Sequence, residues 1–351
     1  MGRFGFLFVL TAAAHGCGGD GIVDPAEGPS ASLEPPDGRV YHGTSPSTLD
    51  VDAYIAALGD PSLSPAVEGM HGAVPGTRPQ FLESNTREFL ARQRAAGRIA
   101  HLSYSMTIGD GEPVDDVIAG SDAYDDLIRA IGRAIRDHGE PVFVRIGFEF
   151  NGSWNGYHAG LYPAAFRRFV DLLRGEGAQN FETIWCYEPD APGDFDAVGE
   201  NGQPLWYPGD EYVDWFGIDL FRKGHFTEDR GRATGDTPHA RTLRFLEMAR
   251  GRGKPVYLSE LAAVDAHLTS DDEDPGLVDG TADWEFWFKP FFAFLGEHPE
   301  IKGFNYMSQD YRGTQYLTFG WGNARIQDNS HVKQQWIQRM EDERFLHAPD
   351  L

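Results

Sequence analysis

Short, continuous apolar runs recur along the chain, separated by longer amphipathic stretches. The runs are "RVYHGTS" (39–45), "AVEGMHG" (66–72), "IAHLSYS" (99–105), "VFVRIGFE" (142–149), "ETIWCYE" (182–188), "VDWFGIDLF" (213–221), "PVYLSEL" (255–261) and "IKGFNYM" (301–307). They do not alternate cleanly, which suits parallel strands buried on both faces. Helical signals fill the gaps. In "SDAYDDLIRAIGRAIRDHG" (121–139), Leu127, Ile131 and Ile135 recur every four residues, with Ser121 as a possible cap and Gly139 as a stop. In "YPAAFRRFVDLLRGEG" (162–177), Phe166, Phe169, Val170 and Leu173 form one stripe, opened by Pro163 and closed by Gly175. "RTLRFLEMARGRG" and "DWEFWFKPFFAFLGEH" flank the seventh run, and Pro290 should kink the second of them. Eight strands with intervening helices predict an α/β fold, a (β/α)8 TIM barrel over residues 38–345. Long polar loops at 189–212, 222–238, 265–283 and 308–328 mostly follow strand ends, on the face where such barrels carry their sites.

The N-terminus follows another pattern. In "MGRFGFLFVLTAAAHG", Arg3 is a short basic region, Phe4 to Ala14 is an apolar stretch, and small residues follow. The apolar run is well short of the roughly 20 residues needed to span a bilayer, so residues 1–17 read as a secretory signal. Cys17 stands where a bacterial lipoprotein signal places its lipidated cysteine, although His15 makes the lipobox imperfect; ordinary secretion is the alternative. Residues 18–37, rich in Gly, Pro, Ser and acid, read as a flexible linker. The expectation is a secreted or cell-surface protein, with membrane contact only through a lipid anchor on Cys17. Cys186 reads as a buried thiol without a partner.

Charge narrows the partners. Of 351 residues, 54 are acidic and 30 basic, for a formal net charge of −24. Phosphate backbones are repelled by such a surface, so nucleic acid is excluded and polyanionic substrates are disfavoured. A neutral polysaccharide or oligosaccharide stays open, and an aromatic content of 13% could supply stacking surfaces for it.

Two carboxylates then stand out. Glu149 ends the fourth predicted strand and Glu260 the seventh, both where a barrel strand meets its C-terminal loop. Glycoside hydrolysis needs two carboxyl groups, one protonated and one ionised. Arg145 is four residues before Glu149, so strand periodicity puts both on one face, where a guanidinium would hold a neighbouring carboxylate ionised. The bland alternative is a buried ion pair without chemistry.

At these residues the chain resembles glycoside hydrolase family 26, within the clan of barrels that place the acid/base on strand four and the nucleophile on strand seven. The β-mannanases of that family carry an Arg–x–x–His–Glu–x–Asn–Gly–x–Trp run, and here Arg145, Phe148, Glu149, Asn151, Gly152 and Trp154 occupy those places. "GRIAHLSYSM", "EYVDWFGIDLF", "KPVYLSE" and "HPEIKGFNYMSQDY" are similar to its third, sixth, seventh and eighth strands, so the resemblance runs over roughly 98–311. It implies a retaining endo-β-glycanase with Glu149 as acid/base, Glu260 as nucleophile, Arg145 beside the nucleophile and Trp154 as a sugar platform. β-1,4-Mannan is the leading substrate, with xylan or β-glucan open. Three positions depart from the family pattern. The His before the acid/base is Phe148, the Tyr at the end of strand six is Phe221, and a His common on strand three is Ser105. These losses keep a second reading alive, a non-catalytic glycan-binding lipoprotein on a degenerate barrel.

Further substrate contacts are expected from Asn151, Tyr157, Asp219, Phe221, Tyr306 and Trp321; Trp185, Trp206, Tyr311 and Asp310 are weaker candidates. No phosphate-binding Gly-rich loop, Ser-His-Asp order or zinc spacing appears, so no cofactor or metal is expected. "SDDEDPGLVDG" (270–280) is acidic but lacks alternating calcium-ligand spacing and reads as a solvated loop.

Overall fold

In the computed structural model of the protein, residues 32–351 are described apart from 46–47, 76–77, 110, 229–234, 267 and 269–279. The expected signal segment, Cys17, most of the linker and the acidic loop therefore lie outside the described residues.

Eight parallel strands close into a barrel: β1 (Val40–Thr44), β2 (Val67–Ala73), β3 (Ile99–Ser105), β4 (Val142–Ile146), β5 (Phe181–Tyr187), β6 (Trp215–Leu220), β7 (Val256–Leu261) and β8 (Ile301–Tyr306). Each pairs with its sequence neighbour, and β1 pairs with β8 from Tyr41 opposite Gly303 to Thr44 opposite Tyr306, which closes the ring. This is the (β/α)8 barrel that the apolar runs predict.

The helices form the outer layer. Asp125–His138 ends on Gly139 in the left-handed region, as expected, but starts at Tyr124; Ser121 instead bonds back to Val117 and closes the preceding turn. Tyr162–Gly175 has Pro163 in its first turn. Pro290 lies within a continuous helical stretch over 281–297. A π-helical turn at Trp284–Phe288 runs directly into Lys289–Glu297, and Pro290 falls just after that local widening of the helix. Leu33, in the stretch read as linker, is buried against Tyr41, Ala66 and Val67, and its N–H donates to Glu182 Oε1 at 3.0 Å. The folded body thus begins before residue 38.

Candidate active site

The β4 run does not extend to Glu149. The strand stops at Ile146, and the chain turns at Gly147 (φ 52°) and Glu149 (φ 49°). A Cβ on Gly147 would lie 2.5 Å from Met106 and 2.9 Å from Tyr162, so only glycine fits that turn. Glu149 is the one non-glycine residue with positive φ among the described residues, a conformation that persists only when its surroundings impose it. Two neighbours do so. Asn155 Nδ2 donates to the carbonyls of Phe148 (2.9 Å) and Glu149 (3.2 Å). Phe150, fully buried, stacks on Trp185 at 4.5 Å and touches Tyr162, Tyr187 and Trp206. Burying such a ring stabilises by about 1.5–3 kcal/mol, enough to offset the strain of one left-handed residue.

Glu260 lies within β7, opposite Asp219 of β6 at a register shift. Its Oε1 accepts from Arg145 Nη1 at 2.6 Å and sits 2.9 Å from His71 Nε2. Arg145 is completely buried; its Nη2 pairs with Asp219, and its guanidinium lies 4.3 Å from the Phe148 ring centroid. Asp219 Oδ1 in turn accepts the Glu260 backbone N–H at 2.9 Å. The guanidinium thus joins three strands and fixes the Glu260 carboxylate.

The two carboxyls are pushed in opposite directions. Burial, and then the charge of Glu260, raise Glu149 to about 7. Against the burial it shares, Glu260 is held well below the usual carboxylate range by Arg145 and His71. Near neutral pH this gives one carboxyl that carries a proton beside one that does not, the division of labour that acid-assisted glycoside cleavage uses. Trp154 Nε1 donates to Glu149 Oε2 at 2.5 Å, and the ring is 46% exposed, leaving a face open at the cleft.

Several expected substrate contacts are corrected. Tyr306 is fully buried against Trp336, and its hydroxyl donates to the Ala324 carbonyl; no face is left for a sugar. Asp219 is wholly buried and belongs to the Arg145–Glu260 support. Asn151 bridges to the loop after β5, donating to the carbonyls of Glu188 and Pro192 and accepting from Glu188 N–H. Tyr157 is buried with its hydroxyl accepting from Met106 N–H, and Trp185 and Trp206 are the core beneath Phe150. Phe221 is nearly covered and packs at 4.8 Å on Trp321, which is partly exposed and remains at the cleft wall with Tyr311 behind it. Asp310 is paired with Arg312.

Sequence reasoning missed His71 and Asn155. Ser105, where the resemblance expects an imidazole, is bonded by Thr107; the imidazole beside the carboxylates comes from β2. Among the described residues, Asp115, Asp116 and His158, and separately Glu188, Asp190 and His225, are close enough to share a cation. Glu188 Oε2 is already taken by the N–H groups of Asp190 and Ala191, and Asp115 by His158.

A family model described as glycosyl hydrolase family 26 matches residues 116–269, which include both Glu149 and Glu260. A β-1,3-xylanase from a Vibrio species is 29% identical over 244 residues, 64% of this chain and 48% of that protein. A β-1,3-xylanase from an Alcaligenes species is 29% identical over 246 residues, with shares of 65% and 48%. The chain thus spans about half the length of these curated relatives. Among solved structures, a Cellulomonas fimi endo-β-1,4-mannanase superposes with a TM-score of 0.60 at 18% identity, over 90% of this chain and 73% of that one. The Bacillus subtilis mannanase BCman gives 0.56 at 15% identity, over 89% and 88%. At those identities the solved structures speak for the fold.

Proposed function

We propose that the chain is a member of glycoside hydrolase family 26 and acts as a retaining endo-β-glycanase on a neutral β-linked polysaccharide. The observation that carries this reading is the opposed setting of Glu149, proton-bearing to about pH 7, and Glu260, held ionised by Arg145 and His71. Glu149 protonates the leaving oxygen while Glu260 attacks the anomeric carbon. Glu149 then takes a proton from the water that releases the glycosyl-enzyme. A protein that only bound glycan would gain nothing from a strained, proton-bearing carboxyl beside an anchored carboxylate.

For the substrate, β-1,3-xylan comes first. Both β-1,3-xylanase relatives are 29% identical over 64–65% of this chain, whereas likeness to the mannanase structures, at 15–18% identity, rests on fold. Phe148 and Phe221 support the same order, because they put apolar rings where the mannan-cleaving pattern has His and Tyr. β-1,4-Mannan is the second substrate. Residues 1–17 support export, and Cys17 a lipid anchor; fatty-acid labelling that survives in a Cys17→Ala variant would remove the anchor.

Purified protein should be offered β-1,3-xylan, β-1,4-mannan, β-1,4-xylan and mixed-linkage β-glucan, with the anomeric configuration of first-formed products followed by NMR. The expected result is internal cleavage of β-1,3-xylan with β-configured products. α-Configured first products would overturn the retaining mechanism. Binding of a glycan without cleavage of any would overturn the enzyme reading.

A further inference from the structure

Three exposed apolar side chains fall together in one short turn at the barrel mouth. In the turn Gln315–Phe319, after β8, Tyr316 is 41%, Leu317 51% and Phe319 66% exposed. The turn is nonetheless firmly built. Thr314 Oγ1 accepts from Tyr316 N–H, Thr318 Oγ1 donates to the Gln315 carbonyl, and left-handed Gly320 closes the turn on Leu317. The Tyr316 ring stacks on Trp321 at 5.1 Å and 24°, and Trp321 lies on Phe221.

Arg222 ties this turn to the neighbouring loops. Its Nη2 donates to the Phe319 carbonyl at 3.1 Å, its Nη1 to Asp265 after β7 at 2.7 Å, and its Nε is 3.4 Å from Asp190 after β5. One guanidinium following β6 thus joins four loops, and two carboxylates balance its charge. An exposed apolar surface that is ordered yet buries little for the fold is characteristic of a ligand face.

We propose that the Gln315–Phe319 turn is a sugar-binding wall, in which Tyr316, Leu317 and Phe319 take the apolar ring faces of units beyond the cleavage point, and that Arg222 is the positioning residue that holds it. The inference rests on the β-glycanase reading. The occupant is the same glycan chain, because the wall is continuous with the cleft: Tyr316, Trp321 and Phe221 form one series of ring contacts, the first pair stacked and the second tilted, beginning at the end of β6, the strand beside Glu260. The charges of Glu260 and Glu149 both act, after burial, to raise the Tyr316 hydroxyl, which agrees with that placement. A protein partner fits less well. Three side chains offer far less than the roughly 800 Å² per partner that a stable interface buries, but they match the scale of sugar rings.

The test uses the full-length Glu149→Gln protein, which cannot cleave by the proposed route, titrated calorimetrically with β-1,3-xylo- and β-1,4-manno-oligosaccharides of increasing length. Affinity should rise with length and then level off. Adding Leu317→Ala and Phe319→Ala should cost about tenfold in affinity for the longest ligands and bring the plateau at least one unit earlier. Arg222→Ala should give the same length-selective loss while the wall side chains remain. An unchanged length dependence in the Leu317/Phe319 variant overturns the wall, and one in Arg222→Ala overturns its positioning role. If Glu149→Gln binds no oligosaccharide in either series, the β-glycanase reading fails first and the wall falls with it.

Discussion

His71 Nε2 lies 2.9 Å from Glu260 Oε1, the oxygen that Arg145 Nη1 also holds, at 2.6 Å. Two donors from different strands act on one oxygen, and no described residue donates to Oε2. The carboxylate is thereby fixed in rotation, which leaves Oε2 for the attack that the proposed mechanism assigns to Glu260. Losing a hydrogen bond to a charged group costs about 1.5–3 kcal/mol. His71→Ala should therefore lower kcat on an activated aryl glycoside by roughly 10- to 100-fold, with His71→Gln, which keeps a donor, falling less. Wild-type kcat in both variants would show that Arg145 alone positions the nucleophile.

The two carboxylates should separate by leaving group. Glu260→Ala removes the attacking oxygen and should abolish activity on every substrate. Glu149→Ala should retain activity on glycosides with very good leaving groups, which need no protonation, while losing it on polysaccharide. Equal losses in both variants on an activated aryl glycoside would contradict the assigned roles.

The pH dependence follows from the same pair. The proposed mechanism requires Glu149 protonated, and its carboxyl is raised to about 7, so kcat/KM should fall above about pH 7. The acid limb belongs to Glu260, which is held well below the usual range and stays ionised through the mildly acidic region. In Glu149→Ala, assayed on an activated glycoside, the basic limb should vanish. A basic limb that persists there belongs to another group.

The barrel was legible because its strands are buried on both faces and so appear as bare apolar runs; β3 falls on the predicted residues 99–105. β4 was read three residues too long. "VFVRIGFEF" is continuous in hydrophobicity, and the turn inside it shows in the sequence only as Gly147. Glu149, Glu260 and Arg145 could be singled out because charge in a buried strand is costly and needs a reason. The polar residues around them were harder to assign. Asp219 and Asn151 face partners from other strands and loops, which a linear pattern does not reveal, and Tyr306 points into the helix layer. His71 had a usable signal, since it lies near the C-terminal end of a barrel strand, the end that carries sites.

Arg145 should not tolerate replacement by lysine. Its fork serves Asp219 with one nitrogen and Glu260 with the other, over the Phe148 ring. A single ammonium cannot make that planar double contact. Arg145→Lys should lower kcat on an activated glycoside by about a hundredfold and reduce the melting temperature, because one buried carboxylate loses its partner. A Lys variant with wild-type kcat would show that charge alone, without the fork, keeps Glu260 in place.

Glu149→Gln should stabilise the fold in a pH-dependent way. The native carboxyl is raised from 4.5 to about 7, mainly by burial. Between those values the folded state binds more protons than the unfolded state, so this group makes stability fall as pH rises through the window. Below about pH 4.5 the group is neutral in both states and contributes no difference; above about 7 its full unfavourable effect is present. Glutamine carries no titrating proton, and its carbonyl can still accept from Trp154 Nε1, which lies 2.5 Å from the Glu149 carboxylate. The melting temperature of Glu149→Gln should therefore match the wild type near pH 4 and exceed it by an increasing margin up to pH 8, measured by calorimetry at constant ionic strength. A margin that is constant with pH would mean that Glu149 titrates in the fold as it does in the unfolded chain, and its assignment as the proton-bearing carboxyl would fail.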